Sequence, residues 1–554
     1  MKDFMHMGPE RLVFFLTIIS SLSLIYEPGK VSALTTVHIA PVNSPFYPGA
    51  PAGSANVQSA FFNPPPSSNP PPYSSPPPSS NPPPYSSPDL SSPSSTTPQE
   101  SPINAQLKQP TLYGDTSVPQ NGSISPLKAA TTERLAATNQ LLLQTTSPYM
   151  TDDKFDVLLP ETTEVLMYPT WATNSKYDTN NGWFAYMHGV VFKRHSPSFF
   201  NRLTIKAFSK HYGDNTPDER DRLKGRLSYF FADHSKRKTG VSVMDDITLS
   251  GSSQRLPRMS LDSDGHFNAD SVALPGQGYF PGDIVQFQVR LPTTNRVYFG
   301  RCHLYGSTGW SILTDIDDTI KDTRVPKYAQ MFRKAFMEKY EAVPGMVDLF
   351  QYLSVKLATQ ESPDVGFHYI SGTPFALMPS LDRWLKRSNF PPGPVHLAKF
   401  RIKDPSTLYN LPKYVQFKVN EMGRVHKDFP RRKFILFGDS GQGDEKAYAQ
   451  LMKSDGGDRY QCMFIRLVSG IDEAAEYKLN RLERWVTSLS DIPQTRWRLF
   501  RDPKELYDID IAGGKCHPDA EHAAIVADIQ AQKGMLVSEV TRIINSPAIP
   551  LATP

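Results

Sequence analysis

The sequence predicts an α/β protein: a parallel sheet covered by helices, preceded by a β-rich domain and a disordered, proline-rich arm. Three observations point there. From Trp310 onward, short runs apolar on both faces (Ser311–Leu313, Phe367–Ile370, Phe434–Phe437, Cys462–Val468) alternate with helical stretches, the pattern of a parallel sheet buried on both sides. Between Phe155 and Gly309 the pattern changes: Val285, Phe287, Val289 and Leu291 alternate with Gln286, Gln288 and Arg290, as in a strand with one buried face. The chain has 51 prolines in 554 residues, well above the usual ~5 %, and most of the excess lies before Pro126.

Taken in order, residues 1–33 read as a signal peptide. Lys2 and Arg11 form a positive start, Leu12–Tyr26 an apolar core, and Val31-Ser32-Ala33 a small-residue cleavage site. The apolar run, about 15 residues, is short of the ~20 that a spanning helix needs. Residues 34–130 are the arm, rich in Pro, Ser, Thr and Asn and nearly uncharged, with one repeat over 67–78 and 79–90. Such a segment cannot bury enough apolar area to offset the entropy of ordering, so it is expected to stay extended and partly polyproline-II. It is either a glycosylated stalk, with Asn121-Gly-Ser as its sequon, or a ligand for a proline-binding domain. Thr131–Leu143 reads as a short helix leading into the folded part.

The β-rich domain is placed at 155–309. Trp183–Phe192 and Leu227–Phe231 read as further strands, with a helix over Pro217–Lys224 between them. The basic turn His234–Lys238 is a solvated loop or a contact for anionic lipid. The parallel sheet occupies 310–500, and a tail over 501–554 carries a helix at 519–545. A formal charge of +4 over 554 residues excludes a general nucleic-acid binder. Three cysteines exclude a disulfide-framework protein; Cys302 and Cys462 sit in apolar, strand-like runs and read as buried free thiols.

The residues that carry chemistry fall at strand ends, where parallel sheets gather functional groups. Asp315-Ile-Asp317-Asp-Thr319 follows the first buried strand, and Asp439, with Asp444 five residues on, follows Phe434–Gly438. Two acidic clusters at the ends of two parallel strands form a hard, oxygen-only site that suits Mg²⁺, which binds through a few carboxylates and a substrate phosphate. Helix capping would account for Asp439 alone, but not for the combination. Ser371 ends a third strand, and Lys418 lies about twenty residues before Asp439. Asp508-Ile-Asp510 lacks the threonine and the preceding apolar strand, and reads as a loop.

These residues, in this order, resemble the four-part signature of the haloacid dehalogenase superfamily. More narrowly, the chain resembles the actin-patch-protein family of phosphatidate phosphatases, relatives of the lipins. The matching stretches are Asp315–Lys321, Val343–Met346, Phe367–Ser371 with Thr373-Pro374, Phe390–Gly393 and Asp428–Gln442. Upstream, Tyr168–Ala172 and Trp183–Val191 look like the family's amino-terminal β domain.

The resemblance implies a Rossmann-like phosphatase domain in which Asp315 is the nucleophile and forms an aspartyl-phosphate. It implies Asp317 as general acid and then general base, and Thr319 as an orienting residue. Mg²⁺ would be held by Asp315, Asp317 through its carbonyl, Asp439, and Asp444 through water; Ser371 and Lys418 would bind the transferring phosphate. The implied reaction is hydrolysis of phosphatidate to diacylglycerol and phosphate at a membrane surface. About forty residues separate the first two motifs, room for a small helical insertion that leaves the site open to a membrane-borne phosphate. Lys399, Arg401 and Lys403 alternate and could face an anionic surface. The alternatives are another phosphomonoester, such as lysophosphatidate or a phosphoprotein, or an interaction protein working through its arm.

Overall fold

The computed structural model describes residues 163–530 apart from 175–181, 194–215, 231, 250–252, 277, 292–295 and 400–410. The signal segment, the arm with its sequon, the Thr131–Leu143 helix, Arg401 and Lys403 lie outside the described residues.

The amino-terminal sheet contains β1 (Thr163–Met167), β2 (Thr170–Thr173), β3 (Phe184–Lys193), β4 (Ile247–Leu249), β5 (His266–Ala273), β6 (Ile284–Arg290) and β7 (Val297–Tyr305). Its order is β1-β3-β2-β7-β6-β4, with β5 also paired to β3. β1 and β2 both pair antiparallel with β3, through Thr163↔Lys193 and Ala172↔Ala185. Pro169, which has no N–H to give a ladder, separates them. The expected alternation appears in β6, where Val285, Phe287 and Val289 are buried beside Phe267 and Leu304 in one core.

The strand expected at Leu227–Phe231 is helical over its described residues, 227–230. The helix α1 (Pro217–Phe230) runs through it, entered by a reciprocal pair in which Thr216 N donates to Glu219 Oε2 (2.9 Å) and Glu219 N to Thr216 Oγ1 (3.2 Å). That capping box, with proline at the first helical position, is a start signal. Leu223, Leu227 and Phe230 are buried at i, i+4 and i+7, so helical periodicity accounts for the apolar run.

The second sheet comprises β8 (Trp310–Thr314), β9 (Gly366–Pro374), β10 (Val395–Ala398), β11 (Lys433–Asp439), β12 (Tyr460–Arg466) and β13 (Trp497–Phe500). All neighbours are parallel, in the order β10-β9-β8-β11-β12-β13. Numbered along the chain this is 3-2-1-4-5-6, and the order reverses between β8 and β11. In open sheets of this kind the crevice at that reversal, outside the strands' carboxyl ends, is where ligands bind. Side chains alternate between two cores. Ile312, Tyr369, Ile435 and Phe437 pack with Leu349 and Phe350 of α3 (Met346–Lys356) and Leu381 of α4 (Met378–Arg387). Leu313, Ile370, Leu436 and Met463 pack with Met422 of α5 (Leu411–Asp428) and Tyr448 of α6 (Asp444–Met452). A single short helix, α2 (Tyr328–Phe336), lies in the insertion between β8 and α3. Past β13 the chain stays on the domain: Leu506, Ile509, Ile511 and Cys516 join the first core.

Arg432, fully buried, locks the junction between the two sheets. Its Nε donates to Ser311 Oγ (2.8 Å), Nη1 to the carbonyls of Gly306 (2.9 Å) and Thr308 (2.6 Å), and Nη1 also to Asp364 Oδ2 (2.9 Å). Cys462 is not a free thiol. It is bonded to Cys516, 54 residues away with Cα atoms 5.5 Å apart, while Cys302 is free and buried. The strand-like context of Cys462 gave no sign of a partner, because Cys516 reaches it only after the chain has added β13 and turned back.

Two outcomes follow from this packing. Cys516→Ala reopens that loop in the unfolded chain and is expected to lower stability by about 4 kcal/mol, measured as the shift in denaturant midpoint under non-reducing conditions. Arg432→Met leaves Asp364 charged and unpaired in the interior; a loss of about 3–5 kcal/mol is expected by the same measurement.

Candidate active site

The site lies at the reversal point. Asp315 is the first residue past β8, and its N–H donates to Phe437 O on β11 (2.9 Å). Asp439 ends β11, so adjacency of the strands brings the two acids together. The loop after Asp315 is pinned by Asp318, whose φ of 58° is unusual for a residue with a side chain. Its carboxylate accepts from the N–H groups of Thr323 (2.9 Å), Arg324 (2.6 Å) and Val325 (2.6 Å), and its carbonyl from Arg466 Nη1 (2.6 Å). Thr319 Oγ1 donates to Asp315 Oδ2 (3.2 Å).

Asp315, Asp439 and Asp444 each turn a carboxylate oxygen inward, all within 4.8 Å of one another and all buried. Lys418 Nζ, from α5, donates to Asp315 Oδ1 (2.6 Å) and to Asp444 Oδ1. Asp444 Oδ2 accepts from Asp439 N (3.1 Å). The approach requires glycine at 438, where a Cβ would lie 2.6 Å from the Asp444 side chain. One oxygen of this cluster, Asp439 Oδ2, is buried with no hydrogen bond.

Three carboxylates against one ammonium leave uncompensated negative charge out of water. Burial, then the charges of Asp444 and Asp317, push Asp315 up to about 8 despite Lys418. Burial with Asp444 and Asp315 also raises Asp439. Burial works against the Lys418 ammonium, but the Asp315 and Asp444 charges outweigh it and raise its pKa, so it stays protonated. An oxygen-only cluster with excess charge and an orphaned oxygen fits a hard divalent cation.

Asp317 belongs to the other half of the site. Its Oδ2 accepts from Ser371 Oγ (2.7 Å) and Thr373 Oγ1 (2.5 Å), and its Oδ1 from Lys321 Nζ (3.0 Å) and Thr323 Oγ1 (2.7 Å). Burial favours protonation, but the Lys321 charge and the three hydroxyls outweigh it and hold the carboxyl down to about 2. The Asp317 carboxylate is therefore ionised and turned toward Ser371, outside the three-carboxylate cluster.

The structure thus gathers Asp315, Thr319, Lys418, Asp439 and Asp444 in one half, and Asp317 with Ser371 in the other. It adds residues to which the sequence reading assigned no role. Tyr414 Oη donates to Asp315 Oδ1 (3.0 Å), and its ring centroid lies 4.5 Å from Lys418 Nζ. Its spacing of four from Lys418 on one helix was the available signal. Gly372 makes room for that ring, since a Cβ there would lie 2.2 Å from it. Thr373 shares a strand face with Ser371, two residues on. Lys399 is half-exposed and paired with Asp262 (3.3 Å).

Residues 310–467 match the family model described as the catalytic domain of phosphatidate phosphatase APP1. The chain is similar to phosphatidate phosphatase APP1 of Saccharomyces cerevisiae, 34 % identical over 143 residues that make up 25 % of this chain and 23 % of that protein. It is also similar to the uncharacterized protein C29B5.04c of Schizosaccharomyces pombe, 25 % identical over 162 residues, 28 % of this chain and 25 % of that one. The chain therefore spans about a quarter of the length of these relatives. Among solved structures, a cell-surface chitinase, ChiW of a Paenibacillus species, aligns over 67 % of this chain and 48 % of its own at 10 % identity and a TM-score of 0.14, which carries no argument about fold. The matched segment, residues 310–467, includes every acid and the lysine of the site, so the likeness to the catalytic domain of phosphatidate phosphatase APP1 covers the site itself.

Proposed function

We propose that this chain is a Mg²⁺-dependent phosphatidate phosphatase of the haloacid dehalogenase type, working through an aspartyl-phosphate on Asp315. The observation that carries the reading is the buried Asp315–Asp439–Asp444 cluster with Lys418 at the point where the strand order reverses. The 3-2-1-4-5-6 order supports a Rossmann-like domain, and the name of the yeast relative supports phosphatidate as substrate.

Asp315, Asp439 and the Asp317 carbonyl, with Asp444 through water, would hold Mg²⁺, which when bound cancels repulsion between an anionic nucleophile and a dianionic phosphate. Asp315 attacks phosphorus in line; the new O–P bond forms as the bond to the glycerol oxygen breaks. Ser371 and Thr373 turn their hydroxyls from Asp317 to the phosphoryl oxygens, and Lys418 offsets the charge that develops there. Oδ2 of Asp317, once those hydroxyls have left it for the phosphoryl oxygens, takes a proton from solvent and gives it to the departing alkoxide; the carboxylate so formed later takes a proton from the hydrolytic water.

The substrate is membrane-borne. One short helix, α2, makes up the helical part of the insertion after β8 before α3 begins, an opening suited to a headgroup at a surface. No helix among the described residues is long and apolar enough to cross a membrane. The amino-terminal signal pattern and the Cys462–Cys516 disulfide together support a secretory, oxidising compartment.

Asp315→Asn keeps shape and removes the attacking charge. Phosphate release from phosphatidate in mixed micelles is expected to fall on the order of 10³-fold or more, with the thermal midpoint unchanged or raised as one buried charge leaves the cluster. Near-native turnover in this variant would exclude the aspartyl-phosphate. In the same assay the full chain requires Mg²⁺, loses activity in EDTA, and prefers phosphatidate to soluble sugar phosphates; the reverse preference leaves a phosphatase of another phosphomonoester. Chain expressed through its native secretory route is expected to begin at Leu34, read by amino-terminal sequencing, and recovery of intact Met1–Ala33 would refute the compartment.

A further inference from the structure

Asp315 is 0 % exposed, and so are Lys418 and Thr319, two of the side chains that donate to it. Tyr414 donates as well, from Oη to Asp315 Oδ1 at 3.0 Å, and it is partly exposed. Among the described residues it is therefore the group on Asp315 that stands toward solvent. Gly372 and Thr373 beside it are partly exposed too, and a Cβ at Gly372 would lie 2.2 Å from the Tyr414 ring. Gly372 does not have the positive φ that favours glycine, so the closeness of the ring accounts for its missing side chain. Tyr414, Gly372 and Thr373 form the outer edge of the site, and a phosphate bound for Asp315 passes them.

The Tyr414 hydroxyl shares its acceptor. Lys418 Nζ donates to the same Oδ1 at 2.6 Å, while Oδ2 accepts from Thr319 Oγ1 at 3.2 Å. A carboxylate oxygen has two lone-pair positions, and Lys418 and Tyr414 fill both on Oδ1. No pair there is open to phosphorus until one donor leaves. The Lys418 bond is charge-assisted and the stronger of the two, and its ammonium is held by Asp444 besides. The neutral phenol is the donor that yields. It also has somewhere to go, because its ring lies against the backbone between Ser371 and Thr373. Those two hydroxyls rest on Asp317 in the free protein as Tyr414 rests on Asp315. In both halves of the site a working carboxylate is covered by hydroxyls that a phosphate can claim.

Resting on the phosphatase reading above, we propose that Tyr414 is a further catalytic residue of the phosphoryl transfer, its hydroxyl leaving Asp315 Oδ1 to donate to a phosphoryl oxygen. The phenol keeps its proton throughout. One hydrogen bond is exchanged for another, and a lone pair of Oδ1 is freed for the bond to phosphorus. Negative charge spreads over the equatorial oxygens in the transition state, so the new bond is stronger there than in the ground state.

The test joins kinetics on phosphatidate in mixed micelles with calorimetric titration of the full chain in Mg²⁺. The titrants are orthovanadate, which adopts the five-coordinate geometry of the transferring phosphorus, and inorganic phosphate. Tyr414→Phe keeps the ring on Gly372 and removes only the hydroxyl. It is expected to lower kcat and kcat/KM alike, by about thirtyfold. Vanadate binding is expected to weaken about tenfold and phosphate binding only about twofold, with the thermal midpoint near native. Gly372→Ala, which displaces the ring and leaves the hydroxyl in place on it, is expected to lower kcat similarly and to add little to Tyr414→Phe. A raised KM with native kcat, or vanadate and phosphate weakened alike with a lowered midpoint, overturns the role and leaves Tyr414 a packing residue. Full additivity of the two changes overturns it as well. Native kcat in Tyr414→Phe, with Asp315→Asn inactive, overturns the role of Tyr414 and leaves the phosphatase reading standing. A native chain that releases no phosphate from any phosphomonoester and binds no vanadate refutes that reading, and the role of Tyr414 with it.

Discussion

Three carboxylates and one lysine, all removed from water, meet between two adjacent parallel strands. Like charges at such distances repel strongly in a medium of low dielectric, and a single ammonium does not balance them. The arrangement persists because the surrounding structure fixes every member. Asp315 hangs from β11 through its N–H, Asp444 is held by Asp439 N, and Lys418 reaches in from α5 with its ammonium beside the Tyr414 ring. The two glycines are requirements of the same geometry, Gly438 admitting Asp444 and Gly372 admitting Tyr414. The uncompensated charge of the cluster is what a divalent cation would offset.

The other half of the site depends on the amino-terminal domain. α1 sends Arg222 Nε to Met337 O (2.6 Å) and Arg226 Nη1 to Ala335 O (3.0 Å) and Glu338 O (2.9 Å), the last carbonyls around the end of α2. Cations are favoured at such helix ends. The Arg226 guanidinium also lies 4.0 Å from the centroid of the Tyr340 ring, and Lys321 Nζ lies 4.7 Å from the same centroid. Lys321 in turn holds Asp317. A path of direct contacts thus runs from a helix of the first domain to the acid beside Ser371. With Arg432 bracing the junction between the sheets, the β-rich domain is part of the framework of the site.

Much of this was legible in the residue order. Parallel strands buried on both faces need runs such as Phe434–Phe437, and acids placed just after such runs must emerge at one edge of the sheet. Asp315, Asp439 and Ser371 were read from that logic, and Lys418 from its place about twenty residues before Asp439. The short strands Val395–Ala398 and Trp497–Phe500 were not, because four residues carrying a histidine or an arginine give too little pattern to separate a strand from a loop. The Leu227–Phe231 run was ambiguous because apolar residues spaced two and three apart satisfy both periods locally; the Thr216–Glu219 box upstream was the deciding signal.

The sequence by itself determined the local chemistry: which strands are buried, where each ends, and which acids stand at those ends. These properties depend on near neighbours along the chain, and hydrophobic period and turn residues report them directly. Only the tertiary structure decided which partners those groups meet. The Cys462–Cys516 bond, Tyr414 on Asp315, and the turning of Asp317 toward Ser371 and Thr373 all join residues far apart in sequence. Each is set by strand order and domain packing, and a single chain of letters encodes those only through the summed packing of two cores.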